Sequence, residues 1–525
     1  MLGRAGLLGP YRPDRLLNMG RAVGRYGISV AGAYALNLAR DPARAAIIDE
    51  RGVLTFSEVE DRTTRLATAL AERGVDEADR VALLCRNHRG FIEATIALAK
   101  LGADTLYLNT GFAPPQLAAV FDREEASAII LDEEFLAVAD QIRPDILRVV
   151  GWSDSRGAAG GLATIEGLLA GPVGPPPGRP PREGKQIILT SGTTGSPKGA
   201  QRGGGNLEPL VSILSRIPLH TGDVTYDAAP MFHSWGLGHL AMALVMGSTL
   251  VLRRRFDPEE ALALIQSHRV NVMVAVPVML QRIMELPPGA LDRYDTSSLR
   301  VVALSGSALP GDLAVRFMDR FGDVVYNLYG STEVAWASIA TPVDLRQAPG
   351  TAGRPPRGTV VRVLDAAGDE VRSGRSGRIF VKNRMLFEGY TGGGSKPVVD
   401  GLMGTGDTGH FDASGRLFVD GRDDDMIVSG GENVFPREVE DLLSEHPAVA
   451  DVVLVGVPDH EFGQRLKAFV VRREGDPTAE AVLAEQLQNH VRARLARFKV
   501  PREVVFVAEL PRNATGKVVR AELPG

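Results

Sequence analysis

A Gly-, Ser- and Thr-rich segment with one lysine is the part of the chain whose residue types most directly suggest chemistry. Its sequence, TSGTTGSPKGA from Thr190 to Ala200, follows the apolar run Gln186–Leu189. Glycines permit close backbone approach and positive φ, hydroxyl groups can donate to phosphate oxygens, and the ammonium of Lys198 adds positive charge. The spacing is not that of a P-loop, in which two glycines five residues apart are followed at once by Lys and Ser or Thr. We therefore expect a different phosphate-binding loop, with a plain surface turn as the alternative reading.

The elements around this loop follow the pattern of an α/β protein. Thr55 to Glu58 form a capping box that opens a helix, and apolar runs then alternate with helical stretches. Continuous apolar strands between helices are typical of parallel sheets that are buried on both faces. The predicted strands are Val81–Cys85, Thr105–Leu108, Ala128–Leu131, Val270–Pro277, Leu299–Leu304 and Val324–Leu328, and the predicted helices are Gly90–Leu101, Pro115–Arg123, Asp257–Arg269 and Pro310–Phe321.

The length of 525 residues requires more than one domain, because one hydrophobic core stops growing at about 250–300 residues. After Gly421 a short unit with its own pattern begins. Its elements are helix Pro436–Ser444, strands Val452–Val457 and Leu466–Val471, helix Ala479–Leu495 and strand Val504–Val507. We predict a large N-terminal α/β domain, residues 1–421, and a small α+β C-terminal domain, residues 422–525.

Composition excludes several classes of function. The formal net charge of −5 is too balanced for bulk electrostatics to attract nucleic acid. The single cysteine, Cys85, excludes an intramolecular disulfide and a Cys-based zinc site, and it suits a reducing compartment, so we expect a cytoplasmic protein. The histidines show no paired metal-ligand spacing, and no serine lies in a G-x-S-x-G turn.

The first 27 residues form a basic arm. Five arginines stand against one acidic residue, Asp14, and leucines lie between them. A secretory signal is disfavoured because arginines recur throughout and no apolar core of seven or more residues appears. The arm is either a solvated basic segment or a weak membrane-surface contact.

Several further motifs, in a fixed order, make the chain resemble the adenylate-forming superfamily, which includes acyl-CoA synthetases, nonribosomal-peptide adenylation domains and beetle luciferases. The resemblance covers nearly everything from about Thr55 to the end of the chain. After the Gly/Ser/Thr loop the motifs are PMFHSWGL at Pro230–Leu237, SGSAL at Ser305–Leu309, NLYGSTE at Asn327–Glu333, GTAGRP at Gly350–Pro355, TGD at Thr405–Asp407, GRDDDMIVSGGENVFPREVE at Gly421–Glu440 and PRNATGK at Pro511–Lys517.

The resemblance implies an ATP site at the ends of strands. Tyr329 would offer a ring for adenine stacking and Asn327 an amide for its exocyclic amine. Asp407 would accept both ribose hydroxyls, with Arg422 as its cationic neighbour. The residues that the resemblance assigns to ATP are Thr190, Ser191, Gly192, Thr193, Thr194, Gly195, Lys198, Ser305, Gly306, Ser307, Asn327, Leu328, Tyr329, Gly330, Ser331, Thr332, Asp407, Arg422 and Lys517.

The implied reaction has two halves. A carboxylate attacks the α-phosphate of ATP, releasing pyrophosphate, and a thiol then displaces AMP from the acyl-adenylate. Mg²⁺ would be held by Glu333 and Thr194, and Lys517 would supply positive charge to the first half-reaction.

The resemblance also implies a multi-subdomain N-terminal α/β domain and a small mobile C-terminal domain, which would act as a lid that turns between the two half-reactions. The resemblance implies rotation about a hinge at Asp424, which brings a coenzyme A tunnel into place. Ser429, Gly430 and Gly431 would line that tunnel.

The acid is expected to be hydrophobic. Peptide-synthetase adenylation domains have an Asp where His233 stands, so an amino acid is disfavoured; His233 is interpreted as a core or gate residue rather than a general base. The strings LCRNHRGF at Leu84–Phe91 and VSGGENV at Val428–Val434 look most like bacterial fatty-acyl-CoA synthetases, which predicts a fatty or other bulky apolar acid. The candidate pocket residues, which could equally be core, are Met231, His233, Trp235, Leu237, Val276 and Gly330.

Two alternatives stay open at this point. The acyl group could pass to a separate carrier protein instead of coenzyme A, or the chain could be a nucleotide-binding protein that has lost catalysis. Retention of Glu333 and Lys517 disfavours the second. The oligomeric state is not predicted.

Overall fold

The computed structural model describes residues 1–7, 9, 11–27, 29–112, 114–154, 161–172, 174–190, 198–201, 208–387, 389–390, 395–422, 427–429, 432–434, 436–459, 463–495, 499–513 and 516–524. Its helices are α1 Pro13–Tyr26, α2 Val30–Arg40, α3 Phe56–Ala71, α4 Arg89–Leu101, α5 Pro114–Arg123, α6 Leu136–Ala139, α7 Ile165–Ala170, α8 Glu208–Leu214, α9 Ser234–Met246, α10 Pro258–His268, α11 Pro277–Met284, α12 Pro288–Leu291, α13 Gly311–Phe321, α14 Pro342–Gln347, α15 Pro436–Ser444 and α16 Glu480–Arg492.

The strands form four sheets. They are β1 Ala45–Asp49, β2 Gly52–Thr55, β3 Arg80–Leu84, β4 Asp104–Tyr107, β5 Ala128–Leu131, β6 Leu147–Val150, β7 Ala163–Thr164, β8 Gln186–Thr190, β9 Lys198–Gln201, β10 Val224–Asp227, β11 Thr249–Val251, β12 Val272–Ala275, β13 Val301–Leu304, β14 Val325–Tyr329, β15 Ser338–Ala340, β16 Val360–Leu364, β17 Gly377–Lys382, β18 Val398–Val399, β19 Leu402–Phe411, β20 Leu417–Arg422, β21 Ile427–Ser429, β22 Glu432–Val434, β23 Val449–Asp459, β24 Gly463–Arg472 and β25 Glu503–Val507.

Two large sheets with parallel centres carry the main body of the protein. One has eight strands in the order β15-β14-β13-β12-β10-β11-β1-β2, and the other has seven in the order β7-β6-β5-β3-β4-β8-β9. The pairs β14–β15, β1–β2 and β8–β9 are antiparallel and lie at sheet edges. Because parallel neighbours end on the same edge, the residues that follow β12, β13 and β14 lie side by side.

A layer of helices lies between the two large sheets. Apolar residues of α2, α3, α4 and α9 share one core with strands from both sheets. Every residue of α4 is buried, as its mostly apolar sequence requires. The predicted capping box is present, with Thr55 accepting from the Glu58 N–H at the start of α3.

Two smaller sheets follow along the chain. Strands β16, β17, β19 and β18 form one in that order, with β20 paired to β19. The order β22-β21-β24-β23, with β25 parallel to β24, forms the other, and α15 and α16 cover its core. The predicted α/β fold class with a separate small C-terminal domain is confirmed.

The domain boundary and the hinge stay predictions. Strand β20 of the third sheet ends at Arg422, and the last sheet begins at Ile427. The proposed hinge residue, Asp424, lies outside the described residues.

Some element bounds differ from the sequence predictions by one to several residues. Helix α15 and strand β5 have the predicted bounds. Strand β23 runs from Val449 to Asp459 and is longer than predicted, because its pairing with β24 continues beyond the apolar run. In the described part of the chain, every helix is too short or too polar to cross a bilayer.

Candidate functional site

The ends of β13 and β14 bring two predicted nucleotide segments together. Leu304 and Asn327 are register partners in these parallel strands, so the SGS segment and the NLYG segment leave the sheet as neighbours. Ser305 is buried, Ser307 is half-buried, and Gly306 is exposed with φ of +92°. An L-residue rarely adopts that φ, which explains the glycine.

The side-chain oxygen of Asn327, Oδ1, is buried, and buried amide oxygens usually accept a hydrogen bond. Its side chain is 8% exposed, and no donor in the described part of the chain reaches its Oδ1. An unpaired buried amide oxygen costs free energy, so this position is suited to a ligand that carries a donor, such as an exocyclic amine. Leu328, the next residue, is buried in the core.

Tyr329 and Asp407 are in direct contact. The Tyr329 hydroxyl donates to Asp407 Oδ2 at 2.6 Å and lies 3.2 Å from Thr405 Oγ1. Asp407 lies in β19 directly opposite Arg422 in β20, so the two residues predicted to act on ribose are cross-strand partners. The Asp407 carboxylate is half-buried and held at a fixed position by the tyrosine.

The loop after β14 can only be formed with glycine at its start. A Cβ on Gly330 would lie 2.2 Å from the Ala335 carbonyl oxygen and 2.7 Å from Trp336 Cα. Ser331 Oγ accepts from the Val334 N–H, and Thr332 is half-buried nearby. This tight loop places Glu333 next to the strand ends.

Glu333 has a partner that the sequence did not reveal. The Tyr390 hydroxyl donates to Glu333 Oε1 at 2.7 Å, and the Glu333 carbonyl accepts from the Phe387 N–H. Glu333 is 9% exposed. A carboxylate held through one oxygen keeps a second oxygen for a hard cation.

The segment that carries His233 is held by Asn87, which precedes α4. Asn87 Nδ2 donates to the carbonyls of Asp227 and Ala229 at 3.0 and 2.7 Å, and Asn87 Oδ1 accepts from the Met231 N–H at 3.0 Å. His233 follows within this segment, and burial lowers its pKa to about 4. The imidazole is therefore neutral at pH 7.

The residues predicted to form an acyl pocket belong to different cores. Met231 and Leu237 are buried in the core between the two large sheets. Trp235 lies in another cluster, where its Nε1 donates to the Ala275 carbonyl at 3.1 Å. Val276 belongs to a third cluster, on the α10, α11 and α13 side of the eight-stranded sheet.

Trp336 is an aromatic residue that the sequence analysis did not single out. It is half-buried, directly follows the Gly330 loop and packs on the cluster that contains Trp235 and Leu328. Its Nε1 donates to Thr359 Oγ1 at 3.1 Å. Its position beside NLYGSTE is the signal that could have identified it.

The C-terminal loop reaches the large domain. A Cβ on Gly516 would lie 2.8 Å from Val278 Cγ1 and 3.7 Å from Val276 Cγ2, so this backbone lies against the residues that follow β12. Gly516 has φ of +79°. The Lys517 N–H donates to Asn513 Oδ1, and the Lys517 side chain is exposed. The loop that carries Lys517 therefore lies beside the carboxyl end of β12.

A second contact between the domains lies close to that loop. Gln281 in α11 donates to the Ala450 carbonyl in β23 at 3.0 Å. Arg512, within the loop region, pairs with Asp451 of the same strand. The C-terminal loop and the interdomain contact are thus joined through β23.

Part of the predicted site lies outside the described residues. These residues are Ser191, Gly192, Thr193, Thr194, Gly195, Asp424, Gly430 and Gly431. For Thr190, Lys198, Arg422 and Ser429 the backbone is described: Thr190 is paired with Lys198 across β8 and β9, and Ser429 with Glu432 across β21 and β22.

One cluster of possible metal ligands was not expected from the sequence. Cys85, His88 and Asp132 are buried, with ligand atoms within 4.8 Å of one another. His88 Nε2 lies 2.8 Å from Asp132 Oδ1, its Nδ1 accepts from the Gly90 N–H, and burial raises the pKa of the Cys85 thiol. Both imidazole nitrogens are already engaged, so the cluster is interpreted as a hydrogen-bonded support for the start of α4.

Comparison with protein families matches both parts of the chain. Residues 35–391 match the family described as AMP-binding enzyme, and residues 438–517 match the AMP-binding enzyme C-terminal domain.

Named relatives align over almost the whole chain. Indoleacetate–CoA ligase of Aromatoleum aromaticum is 34% identical over 91% of this chain and 94% of the relative. Feruloyl-CoA synthase of an Amycolatopsis species is 33% identical over 94% of this chain and 98% of the relative. Among solved structures, an anthranilate CoA ligase in complex with anthranoyl-AMP has a TM-score of 0.83 and 26% identity, covering 93% of this chain and 95% of that one.

Proposed function

The chain belongs to the AMP-binding enzyme family of the adenylate-forming superfamily and is an ATP-dependent acid–CoA ligase, and from this premise we propose that its substrate is a bulky aromatic carboxylic acid. The half-buried Trp336, which packs on the same cluster as Trp235 beside the strand ends, is the observation that carries this proposal. Large aromatic side chains bind rings through apolar area and offset stacking.

The names of the relatives point the same way. Indoleacetate, ferulate and anthranilate are all acids with an aromatic ring. The resemblance to bacterial fatty-acyl-CoA synthetases predicted a fatty acid as one possibility, and these three names give that choice no support. A neutral His233 suits an apolar acyl group, because a charged imidazole would have to be desolvated beside it.

In the first half-reaction a carboxylate oxygen of the acid attacks the α-phosphorus of ATP, and the bond to pyrophosphate breaks. Two anions must approach, and at 4 Å two unit charges repel by about 4 kcal/mol at an effective dielectric constant near 20. We assign the compensating ammonium to Lys517. The seating of Gly516 against Val276 and Val278 supports this assignment, because it brings the lysine loop to the end of β12.

Binding of the nucleoside is assigned to two groups. Asp407, positioned by the Tyr329 hydroxyl, would accept the ribose hydroxyls. The unpaired Asn327 Oδ1 would accept from the adenine amine. The remaining residues that the resemblance assigns to ATP, including Ser305 to Ser307 and the loop from Thr190 to Lys198, keep that assignment as part of the proposal.

Glu333 fits a magnesium site. It is a nearly buried carboxylate with one oxygen fixed by Tyr390, and hard oxygen ligands are those that Mg²⁺ prefers. Glu333 and Thr194 would hold the ion. When bound, it would neutralise phosphate charge.

In the second half-reaction the sulfur of coenzyme A attacks the acyl carbon, the bond to AMP breaks, and the thiol proton is released. We propose a hinge at Asp424, between residues 1–421 and 422–525, and a thiol tunnel lined by Ser429, Gly430 and Gly431. Withdrawal of Lys517 at this stage is consistent with its place on a loop of the small domain.

The test is an acid panel with three readouts: pyrophosphate, AMP and acyl-CoA. The panel holds aryl, arylalkyl and cinnamate-type acids, matched fatty acids and amino acids. We expect kcat/KM for the best aromatic acid to exceed that of the best fatty acid by about tenfold or more, equivalent to about 1.4 kcal/mol. A fatty acid that equals or exceeds every aromatic acid contradicts the proposed substrate class.

Trp336→Ala is the variant that tests the aromatic contact. Trp152→Ala is the control for loss of a tryptophan, because Trp152 follows β6 of the seven-stranded sheet. The aromatic preference should fall in the first variant and persist in the second. Release of AMP without formation of acyl-CoA, together with acyl transfer to an added carrier protein, would contradict coenzyme A as the acceptor.

A further inference from the structure

Helix α1 exposes apolar side chains along one face. Leu16, Leu17 and Val23 are 52%, 57% and 42% exposed. Leu16, Gly20 and Val23 follow the i, i+4, i+7 spacing of a single helix face. A Cβ on Gly20 would meet nothing within 4 Å, so this face is not covered by the rest of the protein.

A different face of α1 lies on the protein. Met19, Ala22 and Tyr26 are half-buried, and α1 packs against α2. Arg25 also donates to the Pro177 carbonyl at 3.1 Å. The helix is therefore seated with a fixed face outward, although none of its residues is fully buried.

Positive charge surrounds the exposed face. The first 27 residues contain five arginines and one aspartate in a chain of net charge −5. Arg12, Arg21 and Arg25 are exposed. Asp14 pairs with Arg12 at the surface, but an exposed ion pair of this kind binds weakly and leaves the segment positive.

We propose that α1 is a docking surface for an anionic lipid bilayer, on which the helix lies in the plane of the interface. A surface-seeking helix combines an apolar face with a basic polar face and low overall hydrophobicity, and α1 has each of these properties. Arginines are attracted to anionic headgroups, and the leucines insert at the boundary of the acyl chains.

A second copy of the chain fits this face less well. Pairing two α1 faces would bring Arg12, Arg21 and Arg25 of both copies together, which like-charge repulsion opposes. Charge complementarity therefore favours the lipid surface.

The experiment is cosedimentation of the full-length protein with vesicles. One set contains phosphatidylcholine alone, and the other contains about 30% phosphatidylglycerol. We expect partition into the anionic vesicles to exceed that into the neutral ones by about tenfold or more, and to fall when the salt concentration is raised to about 0.5 M. Absence of binding to anionic vesicles at low salt overturns the proposal.

Two variants distinguish α1 from other surfaces. Leu16→Asp combined with Leu17→Asp should lower partition by about tenfold or more, with an unchanged thermal midpoint, because both side chains are exposed. Val343→Asp, at an exposed valine on α14, is the matched control and should bind as the wild type does. Equal binding by the double variant and the wild type would overturn the assignment to α1.

Analytical ultracentrifugation separates the lipid from a second copy. A concentration-dependent dimer that the Leu16→Asp and Leu17→Asp changes abolish, in a protein that ignores vesicles, would identify the face as a self-contact and reject the lipid proposal. Ligase activity without lipid should be equal in all variants, since α1 carries no residue of the ATP or acyl site.

Discussion

The Tyr329 hydroxyl donates a hydrogen bond of 2.6 Å to Asp407 Oδ2, and this bond joins β14 of the eight-stranded sheet to β19 of the third sheet. The two residues come from different motifs, 78 residues apart. The tyrosine therefore has a second role beside any stacking with adenine, because it orients the carboxylate that we assign to ribose.

Tyr329→Phe tests this role directly. The variant retains the ring and removes the hydroxyl, so stacking persists while Asp407 loses a donor. We expect KM for ATP to rise by about tenfold with kcat changed less than threefold, since a hydrogen bond to a charged group contributes about 1.5–3 kcal/mol. ATP saturation of pyrophosphate release measures it. A variant that loses kcat while KM for ATP is unchanged would contradict an orienting role.

Lys517→Ala should separate the two half-reactions. Adenylation should fall by about 10²–10³, the size typical of losing one group that stabilises charge in the transition state. Thioester formation from supplied acyl-adenylate should be nearly unchanged. Lys382→Ala, at an exposed lysine in β17, is the control. Equal losses in both half-reactions would refute the assignment of Lys517 to the first.

Gly516→Ala tests whether the seating of the loop matters apart from the ammonium. Gly516 and Gly475 have nearly the same φ, +79° and +83°, so alanine strains both. Only at Gly516 does the added Cβ meet a neighbour, 2.8 Å away at Val278 Cγ1. We expect Gly516→Ala to slow adenylation by about tenfold or more and Gly475→Ala to leave it within about twofold, in a pyrophosphate-exchange assay. Equal effects would show that strain alone, not the seat on Val278, is responsible.

Some strands of the two large sheets could be predicted because almost all of their residues are buried; these are β3, β4, β5, β12, β13 and β14. Strand β5 is a continuous apolar run, and its bounds are those of the run. The third sheet was not predicted at all. Its strand β16 alternates buried and exposed residues, with Val360 and Arg362 outward, so it lacks the apolar run that identified the others.

The candidate site shows the same division. Asp407 and Arg422 were predicted to work together, and the structure makes them cross-strand partners. Tyr390 was missed because it reaches Glu333 from 57 residues away, and no local pattern reports a contact between distant loops. Met231 could be pocket or core by its motif alone, because a sequence motif does not report tertiary packing; in the structure it is buried in the main core.

Asn87→Ala tests a positioning role for a residue that touches no reacting group. Asn87 makes hydrogen bonds to three backbone groups of the segment that leads to His233, and a buried group left unpaired costs about 1–3 kcal/mol. We expect KM for the acid to rise by about tenfold, while KM for ATP changes little because Tyr329 and Asp407 lie on other strands. Initial rates with each substrate varied in turn measure both constants.

Asn87→Asp sharpens this test. The carboxylate would face the carbonyl oxygens of Asp227 and Ala229, so aspartate should be no better than alanine despite its similar shape. Asn109→Ala, in a loop where Oδ1 accepts from the Gly111 N–H, is the control for a lost asparagine. Full function of Asn87→Asp would show that the two donated hydrogen bonds are not needed.

Asp227 predicts a pH dependence of stability with a definite sign. Its carboxyl group is fully buried, and burial raises its pKa well above the usual value, although a hydrogen bond from the Ala229 backbone acts in the opposite direction. Between the unfolded pKa near 3.8 and the raised folded pKa, the folded state binds more protons than the unfolded state. Stability must therefore fall as pH rises through this window, in contrast to a salt-bridged carboxylate.

Asp227→Asn removes this titration and should change the pH dependence of the thermal midpoint. At pH 4 the thermal midpoints of the two proteins should differ by an amount set by the buried amide. As pH rises to 8, the midpoint of the variant should rise relative to that of the wild type by about 1–3 °C. Asp145→Asn, at an exposed position, is the control for loss of a charge as such. Thermal midpoints of wild type and Asp227→Asn that stay parallel from pH 4 to 8 would contradict a raised pKa for Asp227 in the folded protein.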